Sequence, residues 1–265
     1  MSYSDDPYAS PQADSPLPKD YGARNTIDAM EALKFAFTAE NWFVNLLLGL
    51  VCAIIPIVGP IVFLGYMMET IELLLKQPGA ACPQIEFGRF GDLLKRGVWP
   101  FVGALIAQLV LLPLTLILMI PYFCLFFGSM PMLDSGDMEA LGFLLLLAAF
   151  AYLFLAMIFV NAIGMCIVTP MMVGPGLAQE VGPALDFSFV KDFLARTWKD
   201  MLKAYMLFMV VGMFASILGY CALFIGLYFV IAWLWIAAAH MYYQAYALYL
   251  ARGGKPIEQK PEFAG

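Results

Sequence analysis

Charge and histidine are scarce in this sequence of 265 residues. Only 13% of the residues are charged, whereas 63% are hydrophobic, and the mean hydropathy is +0.83. A chain with so few polar groups cannot cover a water-soluble surface. Several apolar stretches reach the roughly 20 residues that a helix needs to span a bilayer, and the alternating pattern of barrel strands is missing. The composition therefore predicts an all-α integral membrane protein.

The residues that usually carry enzyme chemistry are also missing. A single histidine, His240, excludes bis-histidine haem ligation and the paired histidines of HExxH zinc sites. No Walker loop, GxSxG elbow or GxGxxG fingerprint occurs, so nucleotide and serine-hydrolase functions have no support. The five cysteines form an odd set without a CxxC pair, which favours packing over disulfides. We expect no enzymatic activity, no cofactor and no metal site.

The few basic residues are strongly segregated along the chain. All 14 fall into four clusters separated by apolar stretches, whereas the polar loop from Asp134 to Glu139 has three acids and no base. By the positive-inside rule, the clusters lie in the cytoplasm and this loop lies outside the inner membrane. Both termini are then cytoplasmic. The clusters are Lys19, Arg24 and Lys34; Lys76, Arg89, Lys95 and Arg96; Lys191, Arg196, Lys199 and Lys203; and Arg252, Lys255 and Lys260.

Each apolar stretch between two cytoplasmic clusters must cross the membrane an even number of times. This predicts six membrane segments arranged as three hairpins. A hinge at Pro56, Gly59 and Pro60 would turn the first hairpin, and Pro121 and Pro131 would break the chain after the third segment. The legs of the first hairpin are short, so a shallow re-entrant hairpin fits the charges equally well. The predicted segments are residues 42–55, 60–76, 98–120, 140–168, 204–220 and 224–250.

The two ends of the chain differ from this polytopic domain, which covers residues 25–252. Residues 1–24 are rich in proline, serine and aspartate, and they lack the basic start and apolar core of a signal peptide. This composition predicts a disordered cytoplasmic tail. Residues 253–265 are expected to form a second cytoplasmic tail.

An amphipathic stretch precedes each predicted hairpin. Apolar side chains fall on one helical face and charged side chains on the other. We expect three interfacial helices on the cytoplasmic surface, with Trp42, Trp99 and Trp198 as anchors. The alternative is that such stretches recur by chance in a polytopic chain. The stretches are residues 26–37, 87–99 and 187–205.

The region from residue 54 to residue 97 carries a specific series of motifs. They are a proline-glycine break at Pro56–Pro60, Gly65 followed by Tyr66, a linker with Pro78 and Gly79, the loop Pro83–Phe87 and the segment Gly91–Gly97. This series resembles the bacterial and archaeal membrane-protein family known as domain of unknown function 4013. The resemblance extends over about residues 25–255 and implies a polytopic topology, with no activity attached. The chain departs from the family pattern at Glu69 and Glu72, where basic or neutral polar residues are expected.

A small set of polar side chains lies within or beside the apolar segments. Ionisable groups at membrane depth are costly and are functional candidates by default. Glu72 can pair with Lys76 one turn later. Glu69 and His240 lie at similar distances from the cytoplasmic ends of their segments, which predicts a contact that could relay protons or bind a cation. The alternative is that both glutamates are interfacial and that His240 packs between helices. The set is Asn45, Glu69, Glu72, Gln108, Asn161, His240 and Gln244.

Two functions fit these observations better than an enzyme does. The first is a non-enzymatic scaffold or accessory protein that contacts membrane lipids, other membrane proteins or a second copy of itself. The alternative is a small transporter or channel with a polar site between hairpins one and three. Transport requires a water-filled cavity lined by Asn45, Glu69, Gln108, Asn161 and His240, whereas scaffolding does not. With a pI near 4.7, nucleic acid is not an expected partner.

Overall fold

A computed structural model of the chain describes residues 24–222 and 224–258. Most of the predicted N-terminal tail and the last seven residues of the predicted C-terminal tail lie outside these ranges. The described chain contains helices and no strands, as the composition predicts. The helices are α1 (Ala29–Phe35), α2 (Trp42–Ile54), α3 (Val58–Lys76), α4 (Phe90–Leu133), α5 (Glu139–Ala178), α6 (Gly182–Leu185), α7 (Phe187–Cys221) and α8 (Ile225–Ala251), with short 3₁₀ turns at Ala36–Thr38 and Phe87–Arg89.

Five of these helices are long and apolar enough to cross a membrane: α3, α4, α5, α7 and α8. The first predicted segment, residues 42–55, corresponds to α2, whose 13 residues are too few to span hydrocarbon alone. Helix α2 reaches spanning length only if it is joined to Ala29–Thr38, from which it is bent by 103°. The chain is thus an all-α polytopic membrane protein in which α2–α3, α4–α5 and α7–α8 pack as three helical hairpins.

Helices α4, α5 and α7 are longer than the sequence predicts, whereas α8 has the predicted length. Helix α4 has 44 residues and continues through Pro121 and Pro131, where a break was expected. Membrane helices tolerate such prolines because neighbouring helices and local adjustments satisfy the freed backbone groups. The amphipathic stretches at residues 87–99 and 187–205 are largely the first turns of α4 and α7. Of the three expected interfacial helices, only the first, α1, is a separate helix.

The C-terminal half of α8 forms the centre of a helical bundle. Every residue from Ile236 to Tyr249 is buried, and α1, α3, α5 and α7 pack around this half of the helix. By contrast, only 6% of the most apolar stretch of α4 and 11% of that of α5 are buried. Residues 109–160 of these two helices, here called the α4–α5 arm, pair mainly with each other and extend beyond the bundle.

Glycines let α2, α3 and α4 pack backbone to backbone. A Cβ atom on Gly59 would collide with the carbonyl group of Cys52 on α2, and one on Gly65 would collide with that of Leu93 on α4. Gly59 therefore permits close helix packing, and the positive φ of the turn falls on Ile57 instead. Small residues serve the same purpose at many membrane helix contacts. The motifs of the 54–97 region thus position three helices against one another.

Candidate functional site

The predicted polar residues are placed in different surroundings. Gln108 and Asn161 are exposed on the outer faces of α4 and α5, and the Asn161 amide donates to the Met157 carbonyl of its own helix at 2.8 Å. Asn45, Glu69 and His240 each have partners elsewhere in the bundle. The five candidates therefore do not form one site.

Asn45 holds the loop between α3 and α4, residues 77–86, inside the bundle. Its side-chain nitrogen donates to the Pro83 carbonyl at 2.9 Å, and its oxygen accepts from the backbone N–H of Ile85 at 2.9 Å. The Tyr66 hydroxyl donates to the same Pro83 carbonyl at 2.9 Å. Every polar atom of the Asn45 side chain is thus used by this loop, so the residue has a structural role.

Cys82 lies in the same loop and is shielded from solvent. The Tyr66 hydroxyl lies 3.1 Å from its Sγ atom, and its backbone N–H donates to Thr38 at 2.9 Å. Burial raises the pKa of the Cys82 thiol to about 11. Because the thiolate is the nucleophile, we expect this cysteine to react slowly at neutral pH.

The two glutamates of α3 pair with arginines at the start of α4. Glu69 accepts from Arg89 at 2.6 Å, and the Arg89 side chain is half exposed. Glu72 pairs with Arg96, and both of those side chains are almost fully buried. A buried pair of this kind depends on both partners, since loss of one leaves an uncompensated charge. These contacts clamp α3 against α4, and Glu69 takes Arg89 as its partner in place of the predicted His240.

His240 lies in a polar cluster between α1 and α8. The Gln244 oxygen accepts from the backbone N–H of Asp28 at 2.6 Å, which fixes the orientation of the amide. The Gln244 nitrogen then donates to His240 Nδ1 at 2.8 Å and to the Asp28 carbonyl at 3.1 Å. Because Nδ1 accepts, the ring proton lies on Nε2, which faces Glu31 at 3.8 Å.

Arg24 completes this cluster from the chain before α1. Its guanidinium makes two hydrogen bonds to Glu31, at 2.7 and 2.6 Å, and these lower the pKa of the Glu31 carboxyl. Its carbon Cζ also lies 5.5 Å from the centre of the Tyr243 ring. The cluster attaches α1 to α8, and the sequence pattern gave no indication that Glu31 and Arg24 belong to it.

Two tyrosines near the end of α8 hold the segment that follows this helix. The Tyr249 hydroxyl donates to Asp192 at 3.1 Å and accepts from the backbone N–H of Lys255 at 3.1 Å. The Tyr246 hydroxyl accepts from the backbone N–H of Ile257 at 2.8 Å. These two residues fasten the segment after α8 to the bundle.

An apolar cavity of about 380 Å³ lies between α3, α5, α7 and α8. Its buried lining residues are Phe63, Met67, Met172, Phe208, Ala238 and Tyr242. Its partly buried lining residues, which leave it open to the outside of the protein, are Pro60, Leu64, Met165, Ile231, Leu234 and Trp235. The sequence did not predict this cavity. Apolar residues in apolar helices do not indicate which helix faces leave a space between them.

Within residues 24–222 and 224–258, no group of three histidine, cysteine or acidic residues could hold a metal ion.

One comparison with known proteins found a match. The family model described as "Protein of unknown function (DUF4013)" matches residues 48–224, which is two thirds of the chain. No curated protein and no solved structure matches the chain.

Proposed function

The chain belongs to the DUF4013 family of proteins of unknown function, and we propose that it is a non-enzymatic scaffold or accessory protein of the inner membrane. In this proposal both termini are cytoplasmic, the bundle sits at the cytoplasmic side, and the α4–α5 arm contacts other membrane proteins or lipids. The observation that carries the proposal is the exposed apolar surface of this arm.

The arm is longer than a bilayer requires. The part of α4 in the arm runs from Leu109 to Leu133, and its 25 residues span about 38 Å at 1.5 Å per residue, against roughly 30 Å of hydrocarbon. Large side chains such as Leu109, Ile117 and Phe127 are about two thirds exposed along it. Tilting can hide part of this surplus, and contact with another protein can cover the rest.

Internal contacts make the arm a defined structure. The Tyr152 hydroxyl donates to the Leu118 carbonyl at 3.0 Å, which joins α5 to α4. The rings of Tyr122, Phe126 and Phe150 lie within 6.5 Å of one another by their centres. A paired, apolar projection of this kind suits the recognition of another helix in the membrane.

The alternative, a transporter or channel, has less support. Its polar site would need Asn45, Glu69, Gln108, Asn161 and His240 around one water-filled space. Asn45 and His240 are instead occupied by local hydrogen bonds, and Gln108 and Asn161 lie on outer faces. Scaffolding requires none of these residues to meet.

Photo-crosslinking in intact membranes tests the scaffold proposal. A benzoylphenylalanine at Phe127, on the arm, should give a discrete crosslinked band that contains a second integral membrane protein or a second copy of the chain. The matched control is the same group at Phe214 of α7, which is 60% exposed against 64% for Phe127. It should crosslink only lipid. Lipid adducts alone at both positions would argue against contact through the arm.

A further inference from the structure

The cavity between α3, α5, α7 and α8 is lined by two residues, Tyr242 and Trp235, whose side-chain polar groups have no partner among the described residues. Tyr242 is only 4% exposed, yet its hydroxyl makes no hydrogen bond to any residue that the structure describes. The indole N–H of Trp235, which also lines the cavity, makes none within the same residues. Their neighbours are paired: Trp233 donates to the Leu33 carbonyl at 2.8 Å, and the hydroxyls of Tyr205 and Thr169 bond each other. Donors left unpaired beside an open cavity are available to a ligand that carries an acceptor.

Water would be held only weakly in this cavity. A buried water needs two to four polar partners, and the side chains of the lining offer only the minimum of two, the Tyr242 hydroxyl and the Trp235 N–H. Its ten other lining residues are apolar, and those at the opening include Leu64, Met165 and Ile231. The opening therefore faces hydrocarbon. The volume, about 380 Å³, falls in the range of roughly 300–1,000 Å³ that is typical of small-molecule sites.

The cavity extends along α8. Ile231 lies at one end, and Tyr242 lies eleven residues later, about 16 Å closer to the basic cytoplasmic end of the helix. A ligand that fits has a polar acceptor near Tyr242 and an apolar chain that runs toward the middle of the bilayer. A phospholipid of the cytoplasmic leaflet has this layout, since its ester carbonyls lie just below the headgroup and its chains point inward.

We propose that this cavity binds one acyl chain of a cytoplasmic-leaflet phospholipid, whose ester carbonyl accepts a hydrogen bond from the Tyr242 hydroxyl. The site lies in the bundle, apart from the α4–α5 arm, so its test does not depend on the contacts of the arm; it shares with the scaffold proposal only the cytoplasmic placement of the bundle. A bound chain would complete the packing between four helices and tie the bundle to the inner leaflet.

Native mass spectrometry of the full chain in mild detergent, titrated with dioleoyl phosphatidylglycerol, tests this site. The wild-type protein should bind one lipid more tightly than all others. Ala238→Phe places a ring in the cavity and should remove this tight adduct. Tyr242→Phe deletes only the hydroxyl and should weaken the adduct about three- to tenfold, the value of one hydrogen bond.

Tyr228→Phe is the matched control, because it removes a hydroxyl from the same helix at a partly exposed position outside the cavity. It should leave the tight adduct unchanged. Tyr242→Phe keeps the shape of the cavity, so it remains informative if Ala238→Phe fails to fold. The proposal is overturned if the wild type shows only a series of equally weak adducts. It is also overturned if Tyr242→Phe and Tyr228→Phe bind the first lipid equally well.

Discussion

Asn45, Glu72 and Gln244 are deeply buried polar side chains, and each is used within the protein. Asn45 holds the loop 77–86, Glu72 pairs with Arg96, and Gln244 bonds the backbone of Asp28. Buried polar groups are costly unless they are hydrogen-bonded, and here each one joins two separate elements. At the scale of the residue, the burial of these three polar side chains marks structural links.

Gln244→Leu should detach α1 from α8. The change leaves the backbone N–H of Asp28 and Nδ1 of the buried His240 without their partner, and an unsatisfied buried group costs about 1–3 kcal/mol. We expect a clear fall in the thermal midpoint of the purified protein. Gln108→Leu, on an exposed face of α4, is the control and should change stability by less than about 0.5 kcal/mol. Equal melting of the two variants would contradict the role given to Gln244.

Cys82 should react slowly with iodoacetamide at pH 8. Its pKa of about 11 leaves little thiolate at that pH, and the docked loop covers the sulfur. A cysteine introduced by Gln84→Cys, two residues away and exposed, should react at least about tenfold faster. Peptide mass spectrometry measures both rates. Asn45→Ala should speed up Cys82 by loosening the loop, whereas similar rates for Cys82 and the residue 84 thiol would show that the loop is not docked.

The structure gives the most information on how the α2–α3 hairpin sits in the membrane. Exposed Gln84 and Glu86 belong to the loop that reaches Tyr66, and Tyr66 lies ten residues, or about 15 Å, before the end of α3 at Lys76. If α3 crossed the bilayer completely, these polar side chains would be drawn toward its centre, which is costly.

The start of α4 supports the same placement of the α2–α3 hairpin, near the cytoplasmic side of the membrane. Its backbone touches the first turn of α3 where Gly97 meets Ile61, and Lys95 on the same turn of α4 is exposed. The apolar side chains at the tip, Ile54 and Ile57, are also exposed. We therefore infer that α2 and α3 enter the membrane from the cytoplasm with their tip and turn back inside it.

A cysteine placed by Ile57→Cys in a cysteine-free background should stay unlabelled when intact cells are treated with a membrane-impermeant maleimide. The tip of a re-entrant hairpin lies in hydrocarbon, which this reagent does not enter. Asp137→Cys, in the acidic loop between α4 and α5, is the positive control and should be labelled from outside. Labelling at residue 57 as strong as at residue 137 would mean that the first hairpin crosses the membrane fully.

The whole molecule divides into a packed bundle and an exposed arm. In the bundle, helices touch backbone to backbone, as at Gly97 and Gly65. Along the arm, Gly128 has open space around it. Interior packing resists added volume, whereas lipid-facing surface does not. Stability should therefore depend on the bundle, and the arm should tolerate substitution of its outer face.

A pair of glycine substitutions compares the two parts. Gly97→Leu forces α4 away from the Ile61 carbonyl and should destabilise the protein by more than about 2 kcal/mol or prevent folding. Gly128→Leu adds the same volume where nothing lies within 4 Å and should leave the thermal midpoint nearly unchanged. Fluorescence-detected size exclusion after heating reports both. A large loss at Gly128 would mean that the arm is packed against another part of the protein.

The sequence by itself determined the class of the protein and the approximate place of its apolar helices. Hydropathy and helix length depend on the residue types along the chain, so both can be predicted without knowing which helices pack together. For the same reason the sequence identified Asn45, Glu69 and His240 as unusual. It did not identify their partners, and it predicted breaks at Pro121 and Pro131 that the helix does not have.

Only the tertiary structure decided which faces meet. Glu69 contacts Arg89, His240 faces Glu31, and the loop 77–86 folds back onto Asn45, because close packing of the helices brings residues that are distant in sequence within a few ångströms. The cavity beside Tyr242 has the same origin. Each of its walls is an ordinary apolar helix face, and the space exists because four such faces do not close on one another.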